Sequence, residues 1–228
     1  MRTGILGLSL LALVLSGAPS EAAIHFVDLG TGAPPASLGG LPVTPYDLAA
    51  QAAIPEFTQV TSIPGDPNPP ATLTTVSPSV NKRNIGSGWA TWSNGYTGAV
   101  YFRTGDSVTV SFQIPALAFY LYVEPNNFSP PFNITVTASD GTIAGPVLVS
   151  GTGGARGFGF YSDVVNAGIA NVRVDADPAA NGFAVGELGI GRSVPIPTLS
   201  EWAMILLVAL LVIIGVRQIQ IGRPQQFA

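Results

Sequence analysis

Apolar and polar residues alternate strictly through several short runs of the chain. In residues 107–112, three apolar side chains alternate with serine and threonine, and residues 132–137 alternate apolar side chains with asparagine and threonine. Residues 117–123 keep the same period, with Leu, Phe, Leu and Val alternating with Ala and Tyr. A period of two places successive side chains on opposite faces of a β-strand. Gly and Pro number 27 and 20, which also favours an all-β, turn-rich body over a helical one.

Turn signals separate about nine such strands after residue 86. Residues 89–93, 96–103, 107–112, 117–123, 132–137, 146–149, 157–161, 169–175 and 182–190 are the predicted strands. Their short length and regular spacing predict an all-β fold, an antiparallel β-sandwich with one buried face per sheet. A jelly roll is the preferred version of this sandwich.

Asn94-Gly95 is the strongest hairpin signal in the chain, because a type I′ turn needs positive φ at both central residues. A two-residue loop would pair Ser93 with Tyr96 and Trp89 with Val100. The predicted core face carries Trp89, Tyr96, Val100 and Phe102. The opposite face carries Ala90, Trp92, Thr97, Ala99, Tyr101 and Arg103.

Residues 23–80 form the Gly- and Pro-rich first part of the body. We expect irregular, extended segments there, with short strands at 24–27, 57–62 and 71–76 and one or two helical turns at 47–53.

The N-terminus reads as a secretory signal peptide spanning residues 1–22. Arg2 supplies the positive region, residues 5–15 the apolar region, and Ser20-Glu21-Ala22 a cleavage site with small residues. The Sec export machinery and signal peptidase are the expected partners. An uncleaved N-terminal anchor is the alternative, and both interpretations export the body.

A second apolar segment lies near the C-terminus. Ala203 to Val216 contains no charged or polar side chain, and it would be about 21 Å long as a helix. If Arg217 snorkels, the segment from Trp202 to Ile221 reaches about twenty residues and spans a bilayer. Arg217 and Arg223 then place the C-terminus in the cytoplasm and the body outside. A soluble core helix is the alternative.

Residues Ile196-Pro-Thr-Leu-Ser-Glu-Trp202, an apolar helix and a basic end together resemble the IPTL-type C-terminal sorting signal of Gram-negative bacteria, a relative of the PEP-type signal. The motif residues are Ile196, Pro197, Thr198, Leu199 and Trp202. Two features depart from the usual pattern: Ala203 replaces a glycine, and the basic end is dilute.

The resemblance implies a protein exported through the inner membrane and held there briefly. An exosortase-type transpeptidase would then cut it near the motif and pass it to the cell surface or matrix. Further runs that carry a resemblance lie in the body, at residues 86–93, 95–98, 118–125, 154–161 and 182–187. On these runs, residues 80–191 resemble a β-rich body that recurs in exported bacterial proteins with these signals, which implies location and fold rather than activity.

These signals divide the chain into parts. The signal peptide spans 1–22, the first part of the body 23–80, the β-sandwich 81–191, a linker 192–195, the sorting signal with its membrane helix 196–223, and a polar tail 224–228.

Charge and cysteine content limit the partners. The net charge is −4, and cutting after Ala22 and before Glu201 leaves a body with eleven acids and six bases, or −5. This acidic balance argues against nucleic acid and anionic membrane surfaces as partners. Cysteine is absent, which excludes disulfides and thiolate metal sites.

Catalytic constellations are mostly missing. His25 is the one histidine and lies close to the expected mature N-terminus, where an ordinary strand residue is the simpler interpretation. We therefore expect a protein that is not an enzyme and needs no cofactor.

Two sets of residues are candidates for binding. Asp175, Asp177 and Asn181 offer hard oxygens to Ca²⁺, although acids in turns are common. Trp92, Tyr101 and Arg103 share one face of the predicted hairpin, where an exposed indole would suit a sugar ring, unless a loop covers it.

The sequence thus predicts a cell-surface or extracellular-matrix protein with a structural or adhesive role. A carbohydrate-binding, lectin-like module is the alternative, with matrix polysaccharide as the partner.

Overall fold

The computed structural model describes residues 24–67, 73–164, 167–192 and 205–212. Within the first three ranges the chain forms fourteen strands, one short α-helix and one 3-10 turn. The strands are β1 (Ile24–Gly30), β2 (Ser37–Leu38), β3 (Leu41–Pro42), β4 (Thr44–Pro45), β5 (Gln59–Ile63), β6 (Thr74–Asn84), β7 (Ala99–Arg103), β8 (Ser107–Ala116), β9 (Ala118–Pro125), β10 (Phe132–Ala138), β11 (Ile143–Val149), β12 (Arg156–Ser162), β13 (Ile169–Ala176) and β14 (Phe183–Gly191). Helix α1 spans Leu48–Ala52, and the 3-10 turn spans Pro178–Ala180.

Twelve of these strands belong to one sheet. Its order is β1-β12-β9-β14-β7-β6-β8-β13-β10-β11, with β4 beside β14 and β5 beside β6, while β2 and β3 form a separate hairpin. All the pairings between these strands are antiparallel. The prediction of an all-β, antiparallel body is confirmed.

The long strand β6 joins two halves of the sheet. Its first residues, from Thr74, pair with β8, whereas its last residues, up to Asn84, pair with β7. The halves β1-β12-β9-β14-β7 and β6-β8-β13-β10-β11 contribute to one buried apolar cluster, which includes Val110, Phe119 and Ile134. The core therefore lies between two halves of a continuous sheet, as in a sandwich.

A second layer covers the outer face of β12, β9, β14 and β7. Leu38, Val43, Trp89 and Trp92 form a buried cluster there with Tyr120 and other residues of the sheet. Strands β9 and β14 are consequently buried along their whole length. The expectation of one buried face per sheet is wrong for these two strands, because residues 31–46 and 85–98 cover the face that alternation leaves to solvent.

The predicted hairpin at Asn94-Gly95 is present only as a turn. Asn94 and Gly95 have φ of 47° and 80°, and the Tyr96 N–H donates to the Ser93 carbonyl at 3.1 Å. Residues 90–93 are not a strand, and β7 pairs with β6 and β14 instead. The expected pairing of Trp89 with Val100 is therefore wrong, since both edges of β7 are already occupied.

The first part of the body belongs to the same sheet as the rest. Strand β5 lies close to the predicted strand at 57–62, and β6 runs across the expected boundary at residue 80. Strands β1 and β4 pair with β12 and β14, so the N-terminal strands build the body together with the later ones.

The start of β1 and the end of β14 lie at the same end of the sheet. Ile24 is paired with Ser162 at the end of β12. The residue before it, Tyr161, is paired with Ala118, which is itself paired with Gly191. Three strand spacings separate Ile24 from Gly191, or about 14 Å.

Residues 205–212 are helical and exposed. No helix in the part of the chain that the structure describes is long and apolar enough to cross a membrane. The predicted signal peptide at 1–22 and the remainder of the membrane segment, with Ala203, Val216, Arg217 and Arg223, lie outside the described residues.

Candidate functional site

Two buried glutamates hold the loop at residues 85–98 against the sheet. Glu124, on β9, is fully buried, and its Oε2 accepts a hydrogen bond from Trp89 Nε1. Its Oε1 accepts from Thr91 Oγ1 and from the Gly154 N–H, both at 3.2 Å. Burial raises the pKa of Glu124, and these hydrogen bonds oppose the rise.

The second glutamate, Glu187, lies on β14 at a β-bulge. The register between β14 and β9 shifts between Gly186 and Gly189, and Glu187 has a left-handed φ of 49°. Its Oε2 accepts from Trp92 Nε1 at 3.1 Å and from Asn94 Nδ2 at 3.0 Å. Burial raises the pKa of this carboxyl too.

Sequence reasoning missed both glutamates as site residues. Each is the one acid in an otherwise apolar strand, Glu124 after Tyr122-Val123 and Glu187 after Val185-Gly186. An acid at such a position needs partners when it is buried. Trp89 and Trp92, which lie three residues apart and each carry an indole N–H donor, are the partners that the sequence offered for these two acids.

A cavity of about 450 Å³ opens beside Glu187. Residues 34–36, strand β4, helix α1, the residue after the turn at Asn94-Gly95, and strands β9 and β14 surround it. Its lining residues are Pro34, Pro35, Ala36, Val43, Pro45, Tyr46, Leu48, Gln51, Tyr96, Tyr120, Glu187 and Leu188. It is mostly apolar, and its size is in the range of small-molecule sites.

A smaller cleft of about 280 Å³ lies at the end of the sheet away from Ile24 and Gly191. Ser87, Thr91 and Asn126 supply its polar groups, beside Trp89 and Phe128. Phe128 is 60% exposed. The cleft therefore combines an exposed aromatic ring with hydrogen-bonding side chains.

The three residues predicted to bind sugar do not form an exposed platform. Trp92 is 8% exposed and belongs to the covering layer, whereas Tyr101 is completely buried in the central core. Arg103 is half-buried and donates from Nε to the Ser107 carbonyl. The expectation of a shared exposed face is wrong, because the turn at Asn94-Gly95 folds Trp92 onto the outer face while Tyr101 points to the inner one.

The predicted calcium ligands have protein partners. Asp175 accepts from the Arg173 guanidinium at 2.7 Å, and Asp177 caps the 3-10 turn by accepting from the Ala179 N–H at 2.9 Å. Asn181 ends that turn with φ of 53°. Among the described residues, no three His, Cys, Asp or Glu side chains are grouped to hold a metal ion. Calcium binding stays a prediction.

His25 lies at the surface of β1. Its Nε2 is 3.1 Å from Asp163 Oδ2, and its ring stacks on Tyr161 with 4.9 Å between centroids. The simple interpretation of His25 as a strand residue accounts for these contacts.

The sorting-motif residues Ile196, Pro197, Thr198, Leu199 and Trp202 lie outside the described part of the chain. Residues 194–220 match the family model described as the IPTL-CTERM motif. No curated protein matches the chain. The motif match and the β-rich body together support an exported protein with a C-terminal sorting signal.

Proposed function

We propose that an exosortase-type transpeptidase processes this protein, and that its β-rich body then has a structural or adhesive role at the cell surface or in the matrix. The IPTL-CTERM match carries the proposal: it begins at residue 194, three residues after β14 ends at Gly191. A folded body with its own core, followed directly by a sorting signal, is the arrangement expected of a protein that the signal delivers to the cell surface.

We further infer that the eight strands from β7 to β14 form a jelly roll. Successive strands alternate between the two halves of the sheet, except β10 and β11, which are neighbours. The order is β7-β14-β9-β12 in one half and β8-β13-β10-β11 in the other. Jelly rolls serve as lectin and capsid domains, which fits an adhesive or structural body.

A non-enzymatic role agrees with the way the acids are used. Glu124 and Glu187 bind indole and amide donors that hold a loop in place. Asp177 caps a turn and Asp175 pairs with Arg173. These carboxylates therefore have structural partners.

Carbohydrate binding is the second candidate function, and the cleft beside Phe128 favours it. Sugar rings stack on exposed aromatic side chains and bond to nearby polar groups, and the cleft supplies both. Binding to matrix polysaccharide that Phe128→Ala abolishes would favour a lectin-like module over a purely structural body.

The processing proposal is tested by the intact mass of the protein recovered from the envelope and medium of its own host. We expect a mass that lacks residues 1–22 and the region after the Ile196 motif. Replacing Ile196, Pro197, Thr198 and Leu199 together by alanine should leave an unprocessed precursor in the inner membrane.

The matched control replaces four exposed body residues, Thr44, Thr97, Thr104 and Thr152, by alanine. This variant should be processed like the wild-type protein. A wild-type protein that keeps its C-terminal segment in every fraction contradicts the proposal and indicates a membrane-tethered periplasmic protein.

A further inference from the structure

The cavity beside Glu187 has the composition of a binding site rather than of a packing gap. Pro34, Pro35, Pro45 and aliphatic side chains line it, together with the rings of Tyr96 from the covering loop and Tyr120 from β9. A volume of about 450 Å³ would hold a ligand of several carbon atoms.

The backbone at Glu187 is held in a conformation that non-glycine residues rarely adopt. Its φ of 49° coincides with the bulge between Gly186 and Gly189, where β14 exchanges β7 for β4 as its neighbour. Bulges re-aim side chains, and uncommon backbone conformations cluster at ligand sites. The bulge here brings Glu187 to the wall of the cavity.

Among the residues that the structure describes, the side-chain hydrogen bonds of Glu187 all go to one oxygen, which leaves Oε1 for a ligand. Trp92 and Asn94 both donate to Oε2. Glu124 is different, because both of its oxygens accept hydrogen bonds and it does not line the cavity. The two glutamates share burial and a tryptophan partner, but only Glu187 has the arrangement of a ligand-binding group.

Charge selects the class of ligand. Among the described residues that line the cavity, Glu187 carries the one formal charge, and it is negative. The faces of aromatic rings such as those of Tyr96 and Tyr120 also attract cations. An anion would meet repulsion, and a sugar would leave most of its hydroxyls against apolar walls.

We propose that this cavity binds a small organic cation, an ammonium group carried on an apolar or aromatic body. The ammonium group lies against Glu187 and the tyrosine rings, and the apolar body fills the space between the prolines, Val43 and Leu188. This site is separate from the cleft beside Phe128.

The test compares two probes of nearly equal shape, 2-phenylethylamine and the uncharged 2-phenylethanol, by titration calorimetry of the purified full chain. We expect saturable binding of the amine at least about tenfold tighter than that of the alcohol. Glu187→Gln should weaken amine binding by about tenfold or more and change alcohol binding by less than about threefold. Glu124→Gln, the matched control, should bind both probes like the wild-type protein.

Ala36→Trp keeps the test decisive if Glu187→Gln does not fold. Ala36 is exposed and lines the cavity, so the indole would fill it without disturbing the core. This variant should melt like the wild-type protein and lose binding of both probes. Equal affinity for amine and alcohol, unchanged amine binding in Glu187→Gln or in Ala36→Trp, or no saturable binding would each overturn the proposal.

Discussion

Glu124 illustrates how one carboxylate can attach two separate loops to a sheet. Trp89 and Thr91 belong to the loop at 85–98, and Gly154 belongs to the turn between β11 and β12. Three donors bind the two carboxylate oxygens of Glu124, which is completely buried. Such a group stabilises the fold only while every donor keeps its acceptor.

We expect Glu124→Gln to lower the free energy of unfolding by about 1 to 3 kcal/mol, because the amide nitrogen must face a donor that loses its acceptor. Urea denaturation at neutral pH measures the change. Asp106→Asn, at an exposed carboxylate, is the control and should change the free energy by less than about 0.5 kcal/mol. Equal effects of the two substitutions would contradict this role of Glu124.

The raised pKa of Glu124 also predicts the direction of its pH dependence. The folded state holds this proton more tightly than the unfolded state, so the unfolding free energy falls as pH rises from the ordinary carboxyl pKa of 4.5 through the raised value. Glu187 adds a dependence of the same sign. Glu124→Gln should therefore reduce the slope without abolishing it, and an unchanged slope in denaturation series at several pH values would refute the assignment.

The hairpin of β2 and β3 also holds a covering segment against the sheet, and it has only six residues. Gly39 and Gly40 form its turn with φ of 57° and 79°, which a two-residue turn of type I′ requires. The hairpin places Leu38 in the covering layer over the sheet. Backbone freedom at two glycines is thus what lets the Gly- and Pro-rich segment cover β9 and β14.

Gly39→Ala should destabilise the protein more than Gly40→Ala, by about 1 to 3 kcal/mol. Both substitutions place a side chain at a left-handed position, but a Cβ at residue 39 would lie 2.2 Å from Cδ2 of Tyr161, whereas one at residue 40 meets nothing within 4 Å. The difference in melting temperature between the two variants isolates the contact with Tyr161. Two variants that melt together would show that the hairpin moves away from the sheet at little cost.

Local sequence predicts strands well where one face of a strand stays exposed. Strands β8, β10 and β13 show the expected alternation of burial along much of their length. The turn at Asn94-Gly95 was also predictable, because positive φ is a local requirement. The pairing of β7 with β6 and β14 was not predictable, because the residues that pair with β7 lie outside any short window of sequence around it.

At the scale of the whole molecule, the sequence predicts the all-β class but not the covering layer. Alternation in β9 predicts that Tyr120 and Tyr122 are partly exposed. Both are buried, because residues far away in the chain cover them. The cavity beside Glu187 exists only because that layer is present. Its position therefore could not be predicted from periodicity.

A buried ion pair also joins the N-terminal part of the body to the residue that follows the last strand. Asp66 and Arg192 are separated by 126 positions, and their side chains are 2% and 9% exposed. Arg192 Nη1 and Nη2 donate to the two carboxylate oxygens at 2.7 and 2.9 Å. Arg192 lies two residues before the matched sorting region begins at residue 194.

We expect Arg192→Ala to lower the unfolding free energy by about 3 to 5 kcal/mol, because it removes the cationic partner of a buried carboxylate. The control is Arg156→Ala, whose partner Asp28 is well exposed, and it should cost about 1 kcal/mol or less. Chemical denaturation of both variants measures the difference. Similar losses would mean that solvent screens the Asp66–Arg192 pair as well.

The placement of Ile24 and Gly191 at one end of the sheet determines which way the body would face at a membrane. Strand β9 runs from that end to Pro125 at the other, and its eight residues span about 23 Å. A precursor held by either terminal segment would stand with the same end toward the bilayer, and the cleft beside Phe128 would point outward. If processing takes place as proposed, removing either segment first would leave this orientation unchanged, so the end with the cleft would face the surroundings before the second cut.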